Sequence, residues 1–248
     1  MRVIVTRPGP QAVAWVDTLR ALGLDAQALP LIDIEAAHDL APLQAAWRQL
    51  QQTALVVFVS ANAVNHFFAA RPEATQWPAG LGAGSTGPGT SAALRLAGVL
   101  NVVEPTADAA QFDSEALWAR LAGQPWAGRR VLVVRGTEGR EWLGQQLAEQ
   151  GAQVDFVAAY RRLAPTPDAA GQTLLAAAQA APEQHLWLFS SSEAVGHLLS
   201  LAPGADWSAS RAWASHPRIA QAARRAGFGR VELVAPDPAA VARRLAAG

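Results

Sequence analysis

The sequence predicts an α/β protein made of two parallel-sheet domains of similar size. Three observations support this. Strand-like apolar runs alternate with helical stretches from end to end, the alternation is written twice, and hydroxyl-rich breaks separate strands from the helices that follow.

The repeat is clearest at Leu55-Val-Val-Phe-Val-Ser-Ala-Asn-Ala-Val-Asn-His-Phe-Phe68, echoed by Leu186-Trp-Leu-Phe-Ser-Ser-Ser-Glu-Ala-Val-Gly-His-Leu-Leu199. Phe58 matches Phe189, Ser60 matches Ser191 and His66 matches His197, each 131 positions later (189 − 58). Arg2-Val-Ile-Val-Thr-Arg-Pro8 resembles Arg130-Val-Leu-Val-Val-Arg-Gly136 at 128 positions (130 − 2), where Leu19 also falls on Leu147 and Gly23 on Gly151. Thr86-Gly-Pro-Gly-Thr-Ser-Ala-Ala93 lies opposite Ser215-His-Pro-Arg-Ile-Ala-Gln-Ala222 at 129 positions (215 − 86), and Gly98 then falls on Gly227. Three blocks in one order at nearly one spacing mark a duplicated half.

The first strand is expected over 3–6, followed by Arg7-Pro8-Gly9-Pro10, a turn whose prolines suit the opening of a helix. Val13, Val16, Leu19 and Leu22 recur at helical spacing, and Gly23 supplies a C-cap. A second strand over roughly 26–34, a helix near 40–50 and a strand over 54–59 follow. Ser and Asn at 60–62 cap the next helix, which Arg71-Pro72 ends. A short strand near Leu81 leads into a glycine-rich turn, a helix over 90–97, a strand over 101–104 and a helix capped by Asp113-Ser114-Glu115. The second half runs through a strand at 131–135, a helix at 141–150, a segment at 153–161 that begins strand-like, and a helix at 169–181. It continues with a strand at 185–189, a helix at 193–201, a strand at Ala212, a helix after Pro217, a strand at 230–234 and a helix from Asp237. Each half thus holds five expected strands. Their nearly continuous apolar character fits a parallel sheet covered on both faces.

Open parallel sheets bind ligands beyond the carboxyl ends of their strands. This singles out the turns at 6–8, 60–62, 85–90, 135–140, 190–192 and 215–218, flanking a cleft between two sheets. They carry Arg7, Ser60, Asn62, Gly87, Thr90, Arg135, Arg140, Ser190, Ser191, Ser192, His216 and Arg218. Guanidinium groups, hydroxyls and helix N-termini together suit a polyanionic small molecule.

Composition narrows the chemistry. With 248 residues, half of them apolar, the chain can bury two cores. Twenty basic residues balance twenty acidic ones, which argues against nucleic acid as a partner. The basic residues are all arginine, so Schiff-base, pyridoxal-phosphate and Walker-lysine chemistry is excluded. The absence of cysteine excludes disulfides, thiolate nucleophiles and thiolate-bound metals. No apolar run approaches the ~20 residues of a membrane span, and the chain enters a strand at Arg2 with no signal peptide ahead of it. A cytoplasmic protein without membrane association is expected.

Several motifs carry less than they suggest. Gly82-Ala-Gly-Ser-Thr-Gly87 spells G-x-G-x-x-G, but Gln76-Trp-Pro-Ala-Gly80 before it is no apolar strand, so a dinucleotide site is not expected. The five histidines lack metal-ligand spacing. His66 and His197 read as packing or helix-surface residues, whereas His216 opens a helix directly after a strand. No serine sits in a G-x-S-x-G elbow. The scattered tryptophans read as packing residues. Tyr160, the only tyrosine, ends a strand-like run at Ala158-Ala-Tyr-Arg-Arg162. It is either a strand-end aromatic or a phenol able to donate a proton at the domain junction.

From end to end the chain resembles the uroporphyrinogen-III synthase family. The carrying segments are Val5-Thr-Arg-Pro8, Pro30-Leu-Ile-Asp-Ile34, Phe58-Val-Ser-Ala-Asn-Ala-Val64 and Gly87-Pro-Gly-Thr90 in the first half. In the second they are Arg135-Gly-Thr-Glu-Gly-Arg140, Gly151-Ala with Tyr160-Arg-Arg162, Phe189-Ser-Ser-Ser-Glu-Ala-Val195 and His216-Pro-Arg-Ile-Ala220. The resemblance implies two flavodoxin-like domains joined by two extended strands, with the active site in the cleft. One domain, 1–34 plus 164–248, would be discontinuous, and 35–163 would be inserted in it. The implied reaction cyclises hydroxymethylbilane, a linear tetrapyrrole, to uroporphyrinogen III with loss of water and inversion of ring D. It needs no cofactor and no metal, and a monomer is expected. Tyr160 matches the family's tyrosine and is the candidate acid, and Thr90 matches its threonine after the glycine-rich turn. Arg218-Ile219 stand where many relatives carry hydroxyl residues. The rival expectation is a two-lobed solute-binding or sensor protein for a polyanionic small molecule.

Overall fold

The computed structural model describes residues 1–107, 109 and 111–247. The chain folds as two compact units, one formed by Met1–Asp33 with Leu163–Gly248 and the other by Ile34–Arg162.

The first unit holds β1 (Arg2–Val5), α1 (Gly9–Ala21) and β2 (Ala26–Ala28) from the start of the chain. Its sheet has the order β11-β10-β9-β1-β2, with β9 (His185–Phe189), β10 (Arg211–Ala214) and β11 (Arg230–Leu233) from the end. The sheet of the second unit has the order β3-β8-β7-β4-β5-β6. Its strands are β3 (Asp33–Ala36), β4 (Leu55–Phe58), β5 (Gly82–Ser85), β6 (Val102–Val103), β7 (Arg130–Gly136) and β8 (Gln153–Leu163). Helices α2 (Ala41–Gln49), α3 (Ala61–Ala69), α4 (Pro88–Leu96), α5 (Ser114–Leu121) and α6 (Trp142–Glu149) belong to this unit. Helices α7 (Ala169–Ala180), α8 (Ser192–Leu201), α9 (Pro217–Arg225) and α10 (Pro238–Ala246) belong to the first.

The duplication is visible in the hydrogen-bond register. Leu55 faces Val131, and their repeat mates Leu186 and Val3 also face each other. Leu55 faces Gly82 as Leu186 faces Arg211, Val131 faces Val154 as Val3 faces Ala26, and Ala83 faces Val102 as Ala212 faces Val231. The two sheets therefore share one plan. Each takes its β–α–β start from one sequence repeat and its remaining strands from the other. Strands β1 and β2 pair within the sheet of β9–β11, whereas β7 and β8, their repeat mates, join β4–β6.

Burial follows the same plan. Phe58 packs among Phe67, Phe68 and Trp77, with Trp47 stacked on Phe67 at 4.8 Å between centroids. Its mate Phe189 packs against Trp187 and Phe228, and Phe228 stacks on Trp207 at 5.3 Å. Such pairs add about 0.5–1.5 kcal/mol each beyond their buried area. Trp47, Trp126, Trp187, Trp207 and Trp213 are buried, so the packing role expected for tryptophan holds for these five. The paired glycines Gly23 and Gly151 (φ 83° and 86°) and Gly98 and Gly227 (φ 85° and 94°) adopt left-handed conformations just past helix ends, where a side chain would be strained.

Four expectations change in detail. The strand expected over 26–34 is two strands. Leu29 and Leu31 still donate to Val5 and Thr6, but Pro30 between them has no N–H, and Asp33–Ala36 lies in the other sheet. That sheet consequently has six strands instead of five. Gly82-Ala-Gly-Ser85 is itself strand β5 and no turn. The strand runs so close to its neighbours that a Cβ on Gly84 would sit 3.2 Å from Val57 and 3.3 Å from Leu117, which is why glycine occupies an interior strand position. Finally, α1 buries Ala12, Val16 and Leu19, while Val13 and Leu22 are exposed.

Candidate active site

Every strand pair with an assigned register, β1–β2, β1–β9, β9–β10, β10–β11, β4–β5, β4–β7, β5–β6 and β7–β8, is parallel. The carboxyl ends of these paired strands therefore lie on one edge of each sheet. The singled-out turns stand there, each on its own unit.

On the second unit the centre is Tyr160, near the end of β8 and fully buried. Its phenol oxygen lies 3.1 Å from Ser60 Oγ and accepts from Arg162 Nη2 at 3.3 Å. The ring is flanked by His66, stacked at 6.0 Å, and rests where a Cβ on Gly136 would come within 3.1 Å of it. Ser60 terminates β4 and caps α3, its Oγ accepting from Ala63 N–H at 3.1 Å. Asn62 follows in the first turn of α3, half-buried. Burial holds the His66 imidazole below its usual pKa of 6.5.

The remaining residues of this edge are tied to their own neighbours. Gly87 N–H donates to Ser85 Oγ at 3.2 Å, and its carbonyl accepts from Ser85 and Ser91 hydroxyls at 2.8 and 3.3 Å. Thr90 is buried inside α4 and does not stand in a turn, because the helix begins at Pro88. Arg135 donates to Glu141 at 2.9 Å and lies over the Phe156 ring at 4.6 Å. Arg140 and Glu115 form a two-pronged pair at 2.5 and 2.9 Å. Arg135 and Arg140 therefore already hold carboxylates of the chain itself.

On the first unit Arg7 follows β1 and lies over the Trp15 ring at 4.1 Å. Desolvation alone lowers its pKa, to about 10, with no carboxylate acting on it. A half-buried guanidinium desolvated without a carboxylate partner suits the reception of an anion. Ser191 caps α8 by accepting from Glu193 N–H at 3.2 Å, with Ser190 half-buried before it and Ser192 exposed after it. His216 caps α9, its Nδ1 accepting from Arg218 N–H at 3.1 Å, so the neutral ring carries its proton on Nε2. Arg218 is exposed in the first turn of α9.

The repeat separates chemistry from scaffold. Ser60 and Ser191 are both helix caps, but the mates of Tyr160 and Arg162 are Ile32 and Ile34 (160 − 128, 162 − 128). Only the second unit gains a phenol and a guanidinium at this point. Reading His66 from the sequence as a packing or surface residue misses its contact with Tyr160. The available signal is its pairing with His197, which donates to the Leu31 carbonyl at 2.6 Å. His66 thus reaches β8, and His197 the segment that follows β2. Among the described residues no group of three or more potential ligands stands ready for a metal, and no helix is long and apolar enough to cross a membrane.

Comparison with known proteins adds an independent line. The family model described as "Uroporphyrinogen-III synthase HemD" matches residues 13–242. The uroporphyrinogen-III synthase of Salmonella typhimurium is 34% identical over 70% of this chain and 70% of its own length. That of Escherichia coli K12 is 30% identical over 88% of this chain and 86% of its own length. Among solved structures, a mutant uroporphyrinogen III synthase from Thermus thermophilus superposes with a TM-score of 0.64 at 19% identity, covering 100% of this chain and 98% of that one. A uroporphyrinogen-III synthetase from Helicobacter pylori gives 0.62 at 16% identity, covering 100% and 99%, and these two likenesses establish the fold. The family match over most of the chain and the curated relatives establish more: the chain belongs to the uroporphyrinogen-III synthase family.

Proposed function

We propose that this enzyme cyclises hydroxymethylbilane to uroporphyrinogen III with loss of water and inversion of ring D. Membership of the family carries this reading. The rival reading, a solute-binding or sensor protein, loses its support, since the curated relatives are synthases.

The chemistry fits the residues at the strand ends. The terminal hydroxyl of the substrate leaves as water once protonated, producing an azafulvene. The substituted carbon of the last ring then attacks the azafulvene methylene at the far end of the chain, giving a spiro intermediate that breaks and rejoins inverted. Free bilane can close by itself to the uninverted isomer, so the enzyme's chief task is to orient the ends of the substrate. Tyr160 is the proposed proton source. Eight substrate carboxylates give the arginines, caps and helix N-termini their role. Arg7 and Arg218 bind them directly, and Arg135 and Arg140 bind them by exchanging Glu141 and Glu115 for substrate. Ser60, Asn62, Thr90, Ser190, Ser191, Ser192, His216 and the backbone at Gly87 complete the proposed binding set. The proposed setting is a cytoplasmic monomer that uses no cofactor.

A coupled assay tests the reading. Hydroxymethylbilane is generated in place, the products are oxidised, and type I and type III isomers are separated by chromatography. A type III excess is expected. Type I alone, from folded protein, would overturn the proposal.

A further inference from the structure

Tyr160 is completely buried, yet an acid has to deliver its proton to a substrate. The hydrogen bonds around it say where that proton can go. Arg162 is a donor only, so the contact at 3.3 Å occupies a lone pair of the phenol oxygen and cannot take its hydrogen. Among the described residues the other polar atom bonded to the phenol is Ser60 Oγ at 3.1 Å, and it is the one that can accept the phenolic O–H. Ser60 Oγ also accepts from Ala63 N–H at 3.1 Å. A serine oxygen has two lone pairs. With both engaged, its own hydrogen has to point away from Tyr160 and from the helix cap. Ser60 is half-buried at the end of β4, on the ligand-binding edge of the sheet.

We infer that Ser60 is the group that meets the substrate and that Tyr160 supplies its proton through it. The inference rests on the synthase reading above. Ser60 Oγ–H passes its proton to the departing hydroxyl oxygen of the bilane, and the C–O bond breaks with its electron pair leaving as water. The phenolic proton moves to Ser60 Oγ in the same event, and the N–H of Arg162 stabilises the negative charge left on the Tyr160 oxygen. When the closing pyrrole recovers its aromaticity it releases one proton, which returns through Ser60 to Tyr160. One hydroxyl and one proton leave the substrate, and the enzyme ends as it began. Arg162 is a positioning residue in this scheme. At the repeat-related positions the sequence has Ile32 and Ile34, so the Ser191 cap has no phenol and guanidinium as its repeat counterparts.

Ser60 also holds α3, so the test has to separate the cap from the relay. Asparagine caps about as well as serine but has no hydroxyl proton to pass on, and threonine keeps both properties. Ser60→Asn is expected to lower kcat for type III formation about 100-fold, in the range of a lost proton-transfer group, with KM much less affected. Tyr160→Phe should fall to a similar level. The double variant should fall no further, because groups acting as a unit are not additive. Ser60→Thr should restore most of the rate. The wild-type enzyme offers a readout that no folding defect can mimic. In mixtures of H2O and D2O its kcat should bend as expected for two protons in flight. A Ser60→Asn enzyme retaining half the wild-type kcat, a double variant slower by the product of the two single losses, or a linear dependence on D2O fraction would overturn the relay. Each of those results leaves the synthase reading standing, whereas a wild type making only type I would remove the reading itself.

Discussion

His197 donates from Nδ1 to the Leu31 carbonyl oxygen at 2.6 Å, tying α8 to the segment that follows β2, 166 positions away in the chain (197 − 31). The carbonyl can only accept, so the bond fixes the imidazole tautomer. The bond is half-buried, and its loss leaves the carbonyl unsatisfied. His197→Ala should cost about 1–2 kcal/mol of stability, read as a lower thermal midpoint. An unchanged midpoint would mean that the Leu31 carbonyl finds another donor.

Arg7 carries a charge that the fold does not need. Its pKa is lowered to about 10 by desolvation, so the charged form is less favourable folded than unfolded and costs stability throughout the range below pH 10. Contact with the Trp15 ring offsets part of this cost. Arg7→Met should therefore stabilise the protein by about 1 kcal/mol after screening and the lost ring contact are allowed for. The same variant should raise KM at least tenfold. Thermal melts and steady-state kinetics on one preparation check both halves, and a variant that is both less stable and unaltered in KM would contradict the assignment.

Gly229 and Gly196 make a matched test of packing. A Cβ on Gly229 would lie 1.8 Å from the Ser208 carbonyl oxygen, a backbone atom that has no rotamer to yield. Gly229→Ala should cost about 3 kcal/mol, lowering the midpoint by roughly 6–12 °C. Gly196, inside α8, has open space around its Cβ position. Gly196→Ala should stabilise by about 0.5–1 kcal/mol, because alanine loses less backbone entropy in a helix.

The acid limb of stability should depend on Glu232. Arg244 first, and Arg230 after it, hold this carboxylate below its usual value of 4.5. A lowered folded pKa means that the unfolded chain takes up the proton first. The contribution is present above pH 4.5 and is lost as pH falls through the lower folded value. Glu232→Gln should lower stability modestly above pH 4.5 and flatten its fall below that value, so that variant and wild type converge in acid, as pH-resolved denaturant melts would show.

The duplicated α/β fold was legible because parallel strands buried on both faces leave apolar runs, and because the hydroxyl caps Ser60 and Ser191 repeat at one spacing. An offset between like segments does not say which segments pair. The joining of β1 to β9 and of β4 to β7 is a long-range choice with no local signature. The short strand expected near Leu81 runs instead through Gly82–Ser85, because Gly84, which the approach of Val57 and Leu117 requires, imitates a turn residue in the sequence. At the site, Tyr160 was conspicuous as the only tyrosine, and the strand-end arginines and hydroxyls were visible. The bond between Tyr160 and Ser60, a hundred positions apart, was not, nor was the occupation of Arg140 by Glu115. Pairings of this kind follow from tertiary register alone.

The placement of the chemistry at the Tyr160 phenol is tested most directly by the isomer ratio from Tyr160→Phe. Phenylalanine keeps the ring between His66 and Gly136 and removes only the hydroxyl. With hydroxymethylbilane generated in place, the wild type should give mainly type III. The variant, at the same fold stability, should form type III about 100-fold more slowly and leave mainly the spontaneous type I isomer. Type III formed at the wild-type rate by Tyr160→Phe would contradict the assignment and make the phenol a packing residue.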